Sequence, residues 1–107
     1  MGMFDFFKSS SINDAVSDRQ PDDILVDVRE TDEYASGHIP GAVNVPLSTL
    51  NKASLPWKKD TVLLVYCLSG IRSSRAVHFL KSQGYGNARS IGGIKSYKGK
   101  LEKQEGI

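Results

Sequence analysis

Cysteine, histidine and long apolar runs are all scarce in this chain of 107 residues. One cysteine and two histidines exclude an intrachain disulfide framework and a metal site built only from cysteines. A single free thiol is typical of a reducing compartment, so we expect a cytoplasmic protein. No apolar run approaches the roughly 20 residues that a membrane-spanning helix needs, which predicts no stable membrane insertion.

The chain also has little net charge. Fourteen Lys and Arg residues oppose 12 Asp and Glu residues, which leaves +2 at neutral pH. Domains that bind nucleic acid usually carry a dense basic face, so we expect no nucleic acid partner. The length and the 39% of hydrophobic residues are typical of one globular domain. We assign residues 11–107 to that domain and residues 1–10 to an apolar N-terminal extension without the features of a signal peptide.

Short apolar segments alternate with amphipathic ones through residues 11–107. Four segments have the branched apolar character of strands: residues 24–28, the surroundings of Val43, residues 61–66 and residues 88–91. Helices are expected after a capping Ser11, after a capping Thr31, over residues 47–51, between Cys67 and Gly84, and at the C-terminus after "GGI". Strands that alternate with helices predict an α/β domain with a mainly parallel sheet.

The single cysteine comes directly after the most apolar strand segment, "VLLVY". Ligands of parallel sheets bind beyond the carboxyl ends of the strands, where Cys67 is placed. The loop through Gly70 into a helix can turn backbone N–H groups and the positive helix end toward the sulfur. Arg72 adds a positive charge, and Ser69, Ser73 and Ser74 add hydroxyl donors. We therefore expect a thiol just outside the apolar core, with a lowered pKa, rather than a structural core cysteine.

Other polar residues near strand ends have less specific roles. No obvious general base accompanies Cys67, because His78 is expected to have a surface or packing role on a helix, and His38 is expected in a turn that it orients. Asp27 ends a strand, where a carboxylate usually binds the N–H groups of neighbouring loops.

Three segments resemble the rhodanese family of sulfurtransferases. "CLSGIRS" (67–73) resembles that family's active-site loop, Cys-x-x-Gly-x-Arg followed by a small residue. "LVDVRETDEYASGHIPGAVNVPL" (25–47) resembles its N-terminal signature, and "GGI" (92–94) its C-terminal double glycine. The resemblance covers roughly residues 11–97, nearly the whole chain.

The resemblance implies a single rhodanese-like domain, with a five-stranded, mainly parallel sheet and helices on both faces. It implies that Cys67 takes a sulfane sulfur from thiosulfate or a persulfide, becomes a persulfide itself, and passes the sulfur to cyanide, a thiol or a sulfur-accepting protein. No metal or cofactor is implied. The substrate-binding loop would be Leu68, Ser69, Gly70, Ile71, Arg72 and Ser73, with Asp27, Arg29 and His38 in support.

Two other functions remain open from the sequence. Phosphatases and arsenate reductases of related fold place arginine six positions after the cysteine, whereas Arg72 stands five positions after Cys67. The shorter loop encloses a smaller space, which suits a sulfur atom better than a phosphate. A non-catalytic persulfide carrier or thiol redox sensor would use the same cysteine, so only turnover distinguishes it from an enzyme.

Overall fold

The computed structural model describes residues 11–104, so the predicted extension over residues 1–10 lies outside the described part of the chain. Its elements, in chain order, are helix α1 (Ile12–Asp18), strand β1 (Ile24–Asp27), helix α2 (Thr31–Ser36), strand β2 (Val43–Asn44), a 3₁₀ helix (Leu47–Lys52), strand β3 (Leu63–Cys67), helix α3 (Ile71–Ser82), strand β4 (Ala88–Gly93) and a second 3₁₀ helix (Ile94–Ser96). Within residues 11–104 no helix has the length and apolar character needed to cross a membrane.

The ends of the helices follow local hydrogen-bonding rules. Ser11 caps α1 as predicted, since its hydroxyl accepts from the N–H groups of Asn13 and Asp14 at 3.2 and 3.4 Å. Helix α2 is capped one residue earlier than predicted, by Glu30 instead of Thr31. The reason is that Glu33, one turn into α2, accepts from the N–H group of Glu30 at 3.0 Å and so fixes the start of the helix.

The sheet is parallel throughout, with the strand order β2-β1-β3-β4. Helices cover both of its faces, and the α/β class is confirmed. The expected fifth strand is absent from residues 11–104, where the sheet has four strands. This difference is small and has a simple cause: the described segment contains only four apolar runs of strand type, and each forms one strand. A single antiparallel bridge, between His38 and Glu102, adds the remaining β pairing.

Two apolar clusters separate the faces of the sheet. One face packs against α3 and the first 3₁₀ helix through Leu50, Ala76 and Leu80, and the other packs against α1 through Ile12 and Ala15. Strand β3 is buried over its whole length, as an inner strand of a parallel sheet should be. Its carboxyl end therefore holds Cys67 in a fixed place between β1 and β4.

The predicted C-terminal helix is wrong. After the second 3₁₀ helix the described chain is not helical. Instead the backbone of Glu102 exchanges two hydrogen bonds of 2.8 Å with His38, and the N–H group of Gln104 donates to Ala35 at 3.0 Å. These pairings hold the segment extended against the end of α2, and they outweigh the helix propensity of its Lys and Glu residues.

Candidate active site

Cys67 is the last residue of β3, and its side chain is only 1% exposed. It belongs to the apolar cluster under α3, together with Val65, Ala76 and Leu80. The prediction that the thiol lies outside the apolar core is therefore wrong, because α3 folds back over the end of β3 and encloses it. Burial by itself would be unfavourable for a thiolate, so the polar contacts of the sulfur decide its chemistry.

Backbone N–H groups of the following loop point at the sulfur. Gly70 donates at 3.0 Å and Ser73 at 3.3 Å. Gly70 adopts φ +108°, a conformation that favours glycine, and it is the residue that caps α3. That single left-handed residue turns the chain so that the first turn of α3 begins beneath the sulfur. The predicted cradle of N–H donors is thus present around Cys67.

The net effect of these contacts is to lower the pKa of the Cys67 thiol. Burial is the largest influence and would raise the pKa, but four hydrogen bonds together outweigh it. They come from the Ser73 hydroxyl and from the N–H groups of Ser73, Gly70 and Ser69. A thiolate held in this way is both a nucleophile and a leaving group of unusual stability.

Of the three serine hydroxyls expected near the sulfur, those of Ser69 and Ser74 have no hydrogen bond to it within residues 11–104. The Ser73 hydroxyl lies 3.6 Å from the sulfur. It is also 2.7 Å from the hydroxyl of Ser90, on β4, and 3.1 Å from the carbonyl of Gly70. Ser90 is thus part of the site, although no sequence signal marked it. The hydroxyl of Ser90 orients the hydroxyl of Ser73, whose other neighbours are positioned by the loop.

The double glycine at the end of β4 forms one wall of the loop. A Cβ atom on Gly93 would lie 2.5 Å from the Cα atom of Ser69 and would also collide with the carbonyl of Leu68. That carbonyl accepts from the N–H group of Lys95 at 3.2 Å. Gly93 is therefore required by close approach of two backbones. The sequence analysis noticed the glycine pair but not this contact.

The side chain of Arg72 points toward α2 and is paired there, so it is not free to bind a substrate as the sequence predicted. Its guanidinium donates to both carboxylate oxygens of Glu33, at 2.7 and 3.0 Å. The hydrogen bond from Arg72 is the main cause that lowers the pKa of Glu33 to about 2. Both side chains are 31% exposed. Sequence reasoning missed Glu33, whose only local signal was its place in the first turn of a predicted helix.

Asp27 and Arg29 form a buried ion pair next to the site. The Arg29 guanidinium donates to the Asp27 carboxylate at 2.7 Å and, with the same nitrogen, to the carbonyl of Gly37 at 2.7 Å. Asp27 also accepts from the backbone N–H group of Arg29 at 2.9 Å. The pair joins the end of β1 to the turn after α2, and α2 carries Glu33.

The two histidines lie apart from the sulfur. The ring of His38 stacks on Tyr34 with 3.8 Å between ring centroids, and its Nδ1 lies 2.8 Å from the carbonyl of Tyr34. His78 is exposed on α3. Neither histidine has a hydrogen bond to the Cys67 loop within the described residues. In residues 11–104 no group of three or more His, Cys, Asp or Glu side chains is placed to hold a metal ion.

Comparisons with known proteins give the family of the chain. A family model of the rhodanese-like domain matches residues 10–100. A sulfurtransferase of Allochromatium vinosum is 37% identical over 80% of this chain and 80% of its own length. The thiosulfate sulfurtransferase PspE of Escherichia coli is 37% identical over 65% of this chain and 69% of its own length.

A solved structure shows the same fold. The human single-domain sulfurtransferase TSTD1 superposes with a TM-score of 0.63 at 32% identity, covering 67% of this chain and 76% of that one. Some relatives are longer than the region matched. This chain spans 63% and 43% of the lengths of two curated relatives from Bacillus subtilis.

Proposed function

Because the chain belongs to the rhodanese-like domain family, we propose that it is an enzyme that moves a sulfane sulfur from a donor such as thiosulfate to cyanide or a thiol, through a persulfide on Cys67. The family match supports the sulfurtransferase class. The donor, the acceptor and the role of Cys67 belong to the proposal, as does the cytoplasmic location expected from a single free thiol.

The observation that carries the proposal is the set of N–H donors around a buried sulfur. The Cys67 thiolate attacks the outer sulfur of thiosulfate, a new S–S bond forms, and the S–S bond of the donor breaks. Sulfite leaves with the electron pair, and the product is an anionic persulfide on Cys67. The N–H groups of Gly70 and Ser73 donate to the Cys67 sulfur at 3.0 and 3.3 Å. They stabilise the negative charge of the thiolate before the step and that of the persulfide after it.

In the second half of the reaction the persulfide is discharged, and Cys67 changes from nucleophile to leaving group. Cyanide or a thiolate attacks the outer sulfur, the S–S bond breaks, and the electron pair returns to Cys67. The lowered pKa of Cys67 makes its thiolate a good leaving group in this step. The same environment therefore serves both halves of the reaction, and a cysteine that is already ionised requires no general base in either half.

Phosphatase activity is disfavoured by the direction of Arg72. A Cys-x5-Arg phosphatase needs the arginine to clamp a phosphoryl group above the sulfur, whereas Arg72 is bound to Glu33 through two hydrogen bonds. We expect aryl phosphate hydrolysis to be negligible beside thiosulfate turnover.

Intact-protein mass spectrometry tests the proposal directly. After incubation with thiosulfate the wild-type protein should gain the mass of one sulfur atom, and cyanide should remove it with formation of thiocyanate. Repeated turnover identifies an enzyme, whereas loading that discharges only once, and only to a partner protein, would identify a persulfide carrier. Absence of the added sulfur, or of its loss to cyanide, would contradict the proposal.

A further inference from the structure

The surface beside Cys67 is unusually apolar for this protein. Four large apolar side chains are substantially exposed among residues 11–104: Val43 at 42%, Leu68 at 44%, Ile71 at 65% and Leu101 at 50%. Two of the four, Leu68 and Ile71, belong to the six-residue loop from Cys67 to Arg72. Exposed apolar side chains that gather at a reactive centre, away from the apolar core, indicate contact with a partner.

Neither inorganic substrate explains these side chains. Thiosulfate and cyanide are small, hydrated anions that gain nothing from an isoleucine that is 65% exposed. Because the Cys67 side chain is only 1% exposed, any molecule that exchanges sulfur with it must approach across the surface of the loop. A partner that is large enough to cover the loop would therefore contact Leu68 and Ile71 while it reacts with the sulfur.

The charges on the α3 and β4 side of this surface are positive. Arg75 is one helical turn beyond Ile71 on the same side of α3, and Lys95 donates its backbone N–H group to Leu68. Both side chains are exposed, and neither forms an ion pair with another residue of the described segment. Helix α3 itself contains no acidic residue. The acidic residues on the other side of the loop include Glu33, whose charge is compensated by Arg72.

We propose that the sulfur acceptor is a protein thiol, carried on a surface that has an apolar residue next to the cysteine and acidic residues around it. This surface covers Leu68 and Ile71 and places its carboxylates near Arg75 and Lys95. The inference rests on the proposed sulfurtransferase function and names its acceptor. In the transfer step the partner's thiol attacks the outer sulfur of the anionic Cys67 persulfide. The new S–S bond forms on the partner as R–S–SH, and Cys67 is released as the thiolate.

Three synthetic peptide thiols serve as probes: acetyl-Asp-Leu-Cys-Phe-Asp-amide, the polar acetyl-Asp-Ser-Cys-Gly-Asp-amide and the basic acetyl-Lys-Leu-Cys-Phe-Lys-amide. The wild-type protein is first loaded with thiosulfate, and loss of the added sulfur is then followed by mass spectrometry in a single turnover. We expect the acidic apolar peptide to discharge the persulfide about tenfold faster than the polar one, the gain expected when one large side chain is covered. The basic peptide should be slower than the acidic one.

Matched variants locate the effect on the surface. In Ile71→Thr the rate ratio of the acidic apolar peptide to the polar peptide should fall about tenfold, whereas Val43→Thr, an equally polar change at a distant exposed residue, should keep the wild-type ratio. Arg75→Gln should reduce the preference for the acidic over the basic peptide, and Lys81→Gln, six residues farther along α3, should change it less. Circular dichroism confirms that each variant is folded, and the rates are compared only as ratios between peptides that discharge the same loaded variant.

The outcomes distinguish a failure of this inference from a failure of the sulfurtransferase proposal on which it rests. Failure of the wild type to load would reject the sulfurtransferase proposal itself. Normal loading with equal discharge by all three peptides would overturn only the inference about the acceptor. A dimer in analytical ultracentrifugation that Ile71→Thr abolishes would also overturn it, by assigning the apolar surface to a second copy of the chain.

Discussion

Arg72 holds both carboxylate oxygens of Glu33 across 39 positions of sequence, with N–O distances of 2.7 and 3.0 Å. The cation that the sequence places beside the nucleophile is therefore already paired before any substrate arrives. An anionic donor that approaches Cys67 meets an ion pair without net charge. The repulsion of the donor by Glu33 therefore offsets much of its attraction to Arg72.

Removing the charge of Glu33 should improve the use of thiosulfate. We expect Glu33→Gln to raise kcat/KM for thiosulfate about two- to fivefold, the factor that corresponds to a partly exposed ion pair of about 0.5–1 kcal/mol. The amide can still accept from the N–H group of Glu30. Asp32→Asn is the matched control, since Asp32 is an exposed carboxylate on the same helix. A loss of activity in Glu33→Gln alone would mean that Glu33 positions Arg72 for the substrate.

Removing Arg72 should have the opposite effect and should depend on donor charge. In Arg72→Ala the carboxylate of Glu33 is left uncompensated near the loop, so doubly charged thiosulfate should lose more kcat/KM than singly charged benzenethiosulfonate. A charge-assisted contact of this kind is worth about 1.5–3 kcal/mol, which bounds the loss for thiosulfate. The double variant with Glu33→Gln should recover part of the activity. Equal losses for the two donors would show that Arg72 only shapes the loop.

The hydroxyl of Ser73 should control the acidity of the thiol. Its hydrogen bond favours the thiolate, so Ser73→Ala should raise the pKa of Cys67 and lower the rate of alkylation by iodoacetamide at neutral pH. The rates should converge at pH values above both pKa values, where the thiol is ionised in either protein. Ser74→Ala, the exposed neighbour, should leave the pH profile unchanged. A profile that Ser73→Ala does not shift would assign the lowered pKa to the backbone N–H groups alone.

Gly93 should tolerate no side chain. In Gly93→Ala the new methyl group would collide with the backbone of Leu68 and Ser69, so the loop must move away from β4. We expect a loss of about 1–3 kcal/mol in the free energy of unfolding, as for other overpacked sites, and a large loss of sulfur transfer. Gly86→Ala is the control, because a Cβ atom there meets nothing within 4 Å. Chemical denaturation and thiocyanate assays on both variants decide the matter.

Replacing the nucleophile should abolish transfer at a small structural cost. In Cys67→Ser the hydroxyl can still accept from Gly70 and Ser73, whose N–H groups now point at the sulfur. We therefore expect no thiocyanate production and a decrease of only about 1 kcal/mol in the free energy of unfolding. Thermal unfolding followed by circular dichroism measures the second quantity. Residual turnover would remove Cys67 from the mechanism, and a much larger loss of stability would make it chiefly a core residue.

The features that could be predicted from sequence are those fixed by neighbouring residues. The loop after β3 is one of them, since Gly70 and the start of α3 are close in the chain and their conformation is local. The buried position of Cys67 was missed because it depends on how α3 packs over the sheet. Ser90 and Glu33 were missed for the same reason, since their partners, Ser73 and Arg72, lie 17 and 39 positions away.

At the C-terminal segment the error came from a local signal, which predicted a helix that does not form. Its Lys and Glu residues favour a helix by propensity alone, but backbone pairing between Glu102 and His38 holds it extended. A helix propensity of a few tenths of a kcal/mol per residue is easily outweighed by such pairing. The sequence around Glu102 does not indicate that His38 is its pairing partner.

The contacts of β4 with the loop also set the moment at which the site becomes complete during synthesis. The hydroxyl partner of Ser73, the backbone wall at Gly93 and the N–H group that binds the Leu68 carbonyl all come from residues 90–95, more than 20 positions after Cys67. Domains emerge from the ribosome N-terminus first. A nascent chain that ends before β4 thus has the N–H donors of Gly70 and Ser73 but lacks the contacts that hold their loop in place, and the complete site forms only when β4 docks.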